Sequence, residues 1–268
     1  MKKIISLLLV LTLAVFSVFA FSSCANPNPE DTLVCGVTEI PGLNEKDAKG
    51  EWTLGFETEF AMAVAEKLGM KVKFVEIDWS MKYNEVNSNA IDCIWNGFTA
   101  NASEDDGTVR NTLVDFSYGY MLNQQCVVIR SDKAAEITDE ASLAGKEACV
   151  EGGSAGETYA KTATDNVITA DTQYDTFMEV KSGASDFAVV DIVLAQNVVG
   201  KGNYADLEIV DEIQLASEVY AVGFKQGSEL TAKVNAAIKE LFEEGVMATL
   251  AEKYGFENVV ELVEEIDF

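Results

Sequence analysis

From residue 32 onward the apolar positions switch repeatedly between two periods. Residues 32–38 (TLVCGVT) are a short apolar run, and 71–77 alternate, with Val72 and Phe74 set against Lys71 and Lys73. Both patterns predict strands. Between them Phe60, Val64 and Leu68 recur at helical spacing, which predicts a helix over 56–68 stopped by Gly69, with a loop or hairpin over 39–53. A second helix is predicted over 79–89 and a buried strand over 91–95 (IDCIW). Strand–helix–strand–helix–strand implies a parallel sheet with crossover helices.

The pattern then restarts. Strands are predicted over 124–130 and 146–151, then a glycine-rich turn over 152–156, a helix over 157–162, a strand over 166–169, a helix over 171–181 and a short apolar strand over 186–190. Two βαβαβ-like units therefore follow one another, each closing on a buried strand with a polar tip: IDCIW–NGFT in the first and SDFAVV–D in the second. Residues 217–225 predict another strand, 230–244 and 246–254 amphipathic helices, and 257–265 a closing acidic helix. If the last helices pack on the first unit, the chain crosses between units near 124–130 and 217–222, and two crossings make a hinge. The expected fold is α/β with two lobes, 32–125 with 219–268 and 126–218, each a mostly parallel sheet flanked by helices.

The ends of buried strands are where open α/β sheets bind ligands. Asn96, Gly97 and Thr99 lie just past the first such end. The chain holds only two arginines, Arg110 and Arg130. For two-point grip on a carboxylate, Arg110 is the candidate, against the plainer reading of a solvated loop arginine.

Composition narrows the partners. Met1-Lys2-Lys3, an apolar run over 4–21 and Ser22-Ser23-Cys24 read as an export leader over 1–23, with a single-pass anchor as the other reading. Ser22, Ser23 and Cys24 resemble a bacterial lipobox, although Phe21 departs from its usual aliphatic residue. That resemblance implies lipid attachment at Cys24, followed by a tether over 24–31. Lysine and arginine number 19 against 45 acidic residues; without Lys2 and Lys3 the balance is 17 to 45, a formal charge of −28. Such a surface repels nucleic acid and anionic headgroups. Histidine is absent, which removes histidine-based catalysis and metal sites. Cys35, Cys93, Cys126 and Cys149 each lie in an apolar run without CxxC spacing, so buried free thiols are expected, with a Cys35–Cys93 bridge left open. No metal and no cofactor is expected.

The segments TLVCGVTE, KGEWTLGFETEFAMAVAEKLGMKVKFVEIDW, IDCIWNGFT, VDFSYGY, VEGGSAGETY, SDFAVVD and YAVGFKQGSELTAKVNAAIKELFEEGVMATLAEKYG occur in this order across most of 32–256. Together they resemble the amino-acid substrate-binding lipoproteins of bacterial ABC importers, which have the type II periplasmic-binding-protein fold. The resemblance implies two lobes closing on one amino acid, and a monomer, lipid-anchored outside the cytoplasm, that docks on a permease. It implies no catalysis. It also implies roles. Asn96, Gly97 and Thr99 would meet the ligand backbone, with Thr99 on the α-carboxylate. Arg110 keeps the family's distance to Asp115-Phe116-Ser117 and would bind the same carboxylate, across an insertion over 102–109. Ser154 and Ala155 would add a hydroxyl and helix-start N–H groups. Asp191 would take the ammonium, and Trp79 would be an aromatic wall. Simpler readings stand beside three of these: Ser154 and Asp191 as helix N-caps, and Trp79 as core. The family's aromatic after the first strand is missing from 38–45, leaving Ile40, Leu43 or Trp52 as substitutes and Tyr118 and Tyr120 for the rim. The alternatives are an enzyme on the same fold, resembling cyclohexadienyl dehydratase, with Glu39 or Glu151 as general acid, and an extracellular sensor domain.

Overall fold

The computed structural model describes residues 31–268. The leader over 1–23, Cys24 and the tether up to residue 30 lie outside the described residues. In chain order the elements are β1 (Thr32–Val37), β2 (Glu45–Lys46), β3 (Trp52–Leu54), α1 (Phe56–Lys67), β4 (Lys71–Glu76), α2 (Lys82–Asn87), β5 (Cys93–Ile94) and β6 (Asp115–Arg130). They continue with β7 (Glu147–Glu151), α3 (Ala155–Ala163), β8 (Asn166–Ala170), α4 (Gln173–Ser182), β9 (Phe187–Asp191) and α5 (Ile192–Val198). Last come β10 (Leu207–Ile209), β11 (Ser217–Phe224), α6 (Glu229–Glu243), α7 (Val246–Tyr254) and β12 (Val260–Val263).

The main sheet runs β4-β1-β5-β11-β6-β9-β7-β8. Its two wings, β4-β1-β5 and β9-β7-β8, are parallel, as the crossover helices require. They are joined by an antiparallel centre, β11 against β6. This mixed α/β sheet is the expected fold class. β6, 16 residues long, is the shared member. Asp115 to Gln124 pair along β11, and Gln125 to Ile129 pair with β9. One strand thus passes from one wing to the other at Gln124–Gln125.

The core follows the predicted stripes. Phe60 and Val64 of α1 are fully buried, with Phe60 edge-on to Trp95 and Tyr120 at 5.1 Å each. Each such apolar side chain contributes about 1.5–3 kcal/mol. Val234, Ala237, Ile238 and Leu241 of α6 join the same core, so the late helices do return to the first wing.

Two expectations change. The strand expected over 124–130 begins at Asp115. The closing acidic helix expected over 257–265 is instead β12, antiparallel to β6 with Val260 opposite Met121 and Val263 opposite Gly119. Val259, Val260 and Val263 are β-branched, and an available edge of β6 gives this segment a ladder that glutamate's helix preference does not outweigh. Cys35 and Cys93 are register partners with sulfurs 3.6 Å apart, and all four cysteines among the described residues are buried free thiols.

Candidate functional site

The handover point on β6 fixes the site. Asn123 and Gln125 are two residues apart on one strand and so share a face. Asn123 lies opposite Glu218 of β11, and Gln125 opposite Asp191 at the end of β9. Their amides tie the two acids together. Asn123 Nδ2 donates to Asp191 Oδ1 at 2.7 Å and to Glu218 Oε2 at 2.6 Å, while Gln125 Nε2 donates to the same atoms at 2.6 and 3.0 Å. Gln173 of α4 donates to Asp191 Oδ2 at 2.5 Å and accepts its N–H at 2.8 Å. Asp191 makes no side-chain cap on α5.

Burial with like charges nearby gives this cluster unusual acids. Burial raises Asp191, against the pull of its amide partners. Glu218 is pushed up to about 7 by burial and then by Asp191. Glu57, on the first turn of α1, is also raised to about 7, chiefly by burial, although it accepts the Gly97 N–H on both oxygens at 2.9 Å and the Tyr120 hydroxyl at 2.5 Å. Glu151, at the end of β7, reaches about 8 by burial and the charge of Asp191. All three glutamates thus feel Asp191. Tyr220 stands among Asp191, Glu218 and Glu57, and burial and their charges drive its phenol well above its ordinary range.

The opposite charge comes from two buried bases. Arg110 is 1% exposed. It folds back onto the tip of β5: Nη1 donates to the Thr99 carbonyl at 3.0 Å, Nε to Glu104 at 2.8 Å, and Cζ lies 5.3 Å from the centre of the Phe98 ring. Its Nη2 has no hydrogen-bond partner. The loop over 102–109 holds it there. Ser103 and Val109 bridge, Glu104 N–H donates to the Thr108 carbonyl, and the resulting hairpin presents Glu104 to Arg110. Lys82 of α2 reaches across to the Gly153 carbonyl at 2.8 Å, and burial, then Arg110, lower it to about 8.

Thr99 donates its hydroxyl to Glu218 at 3.1 Å, and Glu218 also senses Arg110. The expected residues Thr99, Arg110 and Asp191 are therefore gathered around Glu218 and β6. Ala155 lines a cleft of about 230 Å³ with Ala102, Ser103, Gln125, Thr158 and Glu218. Ser154 caps α3, accepting the Glu157 N–H at 3.0 Å. The next glycine, Gly156, is needed because a Cβ there would lie 2.6 Å from the Val189 carbonyl, so only glycine brings the start of α3 against β9 and Gln125.

Other expected residues bond or pack within the first wing. Asn96 accepts the Thr38 hydroxyl at 2.5 Å and donates to the Thr38 carbonyl at 2.9 Å and to Asn44 at 2.8 Å. Gly97, at φ 53°, gives its N–H to Glu57. Trp79 packs in the core edge-on to Phe98 at 5.4 Å. Ile40, Leu43 and Tyr120 are buried, while Trp52 carries Lys46 over its ring. Sequence reasoning missed Glu57, Lys82, Asn123, Gln125, Gln173 and Glu218. The one available signal was the spacing of Asn123 and Gln125 inside an apolar strand. Among the described residues no group of three or more acids and cysteines is placed to hold a metal, and no helix is long and apolar enough to cross a membrane.

Comparison with known proteins comes from sequence and from structure. The family of bacterial extracellular solute-binding proteins, family 3, matches residues 33–258. The arginine-binding extracellular protein ArtP of Bacillus subtilis is 25% identical over 261 residues, covering 92% of this chain and 96% of that protein. The L-cystine-binding protein TcyA of the same organism is 26% identical over 208 residues, covering 76% and 74%. An ancestral arginine-binding protein, solved with arginine bound, superposes with a TM-score of 0.75 at 31% identity, covering 84% of this chain and 98% of that one.

Proposed function

The chain belongs to the bacterial extracellular solute-binding proteins, family 3, and we propose that it binds an amino acid at the β6 handover and delivers it to an ABC importer. The observation that carries this reading is the pairing of a buried arginine that has a free Nη2 with a buried aspartate at the point where both wings meet. A zwitterion presents the two complementary charges. Its α-carboxylate would meet Arg110 Nη2, Thr99 and the first N–H groups of α3 past Ser154, which have no partner within their own helix. Its ammonium would meet Asp191. Glu218 carries its proton below about pH 7, and as a neutral acid it does not repel an arriving carboxylate.

The lobes of this reading are 32–125 with 219–268 and 126–218, hinged where β6 and β11 pass between the wings. Contacts to both lobes exist only in the closed form, so ligand shifts the hinge equilibrium toward closure. In the same reading residues 1–23 direct export, Cys24 carries lipid, and the monomer sits outside the cytoplasm against a permease, without catalysis. The matched relatives are binding proteins, which supports that last point. A thermal-shift screen of the lipid-free protein against the twenty amino acids, ornithine and cystine tests the function, since a ligand of the folded form raises its melting temperature. The reading fails if no amino acid does so.

A further inference from the structure

The two backbone-binding groups leave one buried carboxyl unused. Glu151 is 2% exposed, and its Oε1 has no hydrogen-bond partner. It stands at the end of β7, within the field of Asp191 on β9 and Lys82 on α2 and beside Gln173 on α4. Lys82 does not settle it, because Nζ is bonded to the main-chain oxygens of Gly153 and Trp79, at 2.8 and 3.5 Å. Buried acids in and around the site are Glu57, Glu151, Asp191 and Glu218, against the buried bases Lys82 and Arg110. Arg110 moreover already holds Glu104. Glu57 is satisfied by Gly97 and Tyr120. The site therefore has more buried carboxyls than buried bases after a zwitterion is bound, and one of them, Glu151, has an oxygen lacking a donor.

We propose that the ligand is an amino acid with a cationic side chain, an ammonium or a guanidinium, and that Glu151 is the residue that selects it. This rests on the binding reading above, with the α-groups on Arg110 and Asp191. A cation supplies the missing donor and the positive charge that favours an ionised Glu151, so that the pair forms as the carboxyl gives up its proton. A neutral amide supplies only the donor, and an apolar side chain supplies neither. A diamine without a carboxylate fits less well, since it leaves Arg110 Nη2 and the start of α3 unmet.

Arginine and citrulline make the decisive pair, being nearly the same shape and differing in side-chain charge. Isothermal titration of the wild-type protein should show arginine, lysine or ornithine binding roughly 100-fold more tightly than citrulline or glutamine, with putrescine weaker still. Glu151→Gln should erase that preference, lowering affinity for the cationic ligand by a similar factor and changing affinity for citrulline by less than about threefold. Glu151→Asp, which keeps the charge, should retain the ranking. Tighter binding of citrulline or glutamine by the wild type overturns the proposal while leaving amino-acid binding intact. So does an unchanged ranking in Glu151→Gln. Failure of every amino acid to bind overturns the binding reading itself. Should Glu151→Gln fail to fold, the wild-type ranking alone decides.

Discussion

The two strand tips that look alike in sequence end in opposite circumstances. After β5, the Asn96 side chain and the Gly97 N–H turn inward and bond to Thr38, Asn44 and Glu57 of the same wing. After β9, Asp191 is reached by Asn123 and Gln125 of the strand that both wings share. The difference lies in the neighbour. β5 lies between β1 and β11, so its tip meets the loop that follows β1. β9 lies against β6, so its tip opens onto the handover point. A polar residue at a strand end bonds within its own wing or joins the cluster at the centre of the sheet according to which strand lies alongside, and the local sequence does not encode that choice.

Substitutions that separate affinity from stability break or sharpen this contrast. Asp191→Asn should have the largest effect. An uncompensated buried ammonium costs about 3–5 kcal/mol, so calorimetry should show amino-acid affinity falling by two orders of magnitude or more. Unchanged affinity would remove Asp191 from the site. Asn96→Ala should do the reverse. It strands the Thr38 hydroxyl and carbonyl and Asn44 Oδ1 in the interior, and should lower stability in urea by about 2–4 kcal/mol while affinity shifts only a few-fold. A larger loss of affinity than of stability would mean that Asn96 touches ligand.

The acids give a third test of intermediate size. Glu57, Glu151 and Glu218 titrate at about 7, 8 and 7 in the folded chain, against 4.5 for the free group. The folded state therefore holds protons that the unfolded state has released, and stability falls as pH rises from about 5 to about 8. Lys82, lowered to about 8, works in the opposite sense only above that pH. Thermal unfolding of the ligand-free protein should show a melting temperature several degrees lower at pH 8 than at pH 5.5. A flat profile would mean that these carboxyls are solvated. The smallest effect is expected from Asp105→Ala. Asp105, on the hairpin bridged at Ser103 and Val109, accepts the Thr158 hydroxyl at 3.0 Å and pairs with Lys161, both on α3. Exposed pairs are worth about 0.2–1 kcal/mol, so stopped-flow release of ligand should quicken up to a few-fold, and added salt should do the same to the wild type.

Much of the architecture was legible because it rests on period. The stripe Phe60–Val64 and the run 91–95 need no tertiary context. β12 was illegible for the opposite reason, since its strand exists only by pairing with β6. In the site, the family resemblance, through the distance from Arg110 to Asp115-Phe116-Ser117, pointed to the return of Arg110 to Thr99, and the loop over 102–109 supplies Glu104 as its clamp. Glu57 and Glu218 were invisible. In a chain with 45 acidic residues nothing local distinguishes an acid that faces water from one beneath a strand tip.

The paired thiols of Cys35 and Cys93 have a bearing on how the chain ages outside the cell. Both are fully buried on adjacent strands of the first wing, and burial raises the Cys93 thiol well above its usual range. A thiol held in its protonated form and away from solvent is a poor target for oxidants. Damage there has to wait until β1 parts from β5, so the interior sulfurs are protected for as long as that wing of the sheet stays folded, and their oxidation marks molecules that have already come apart.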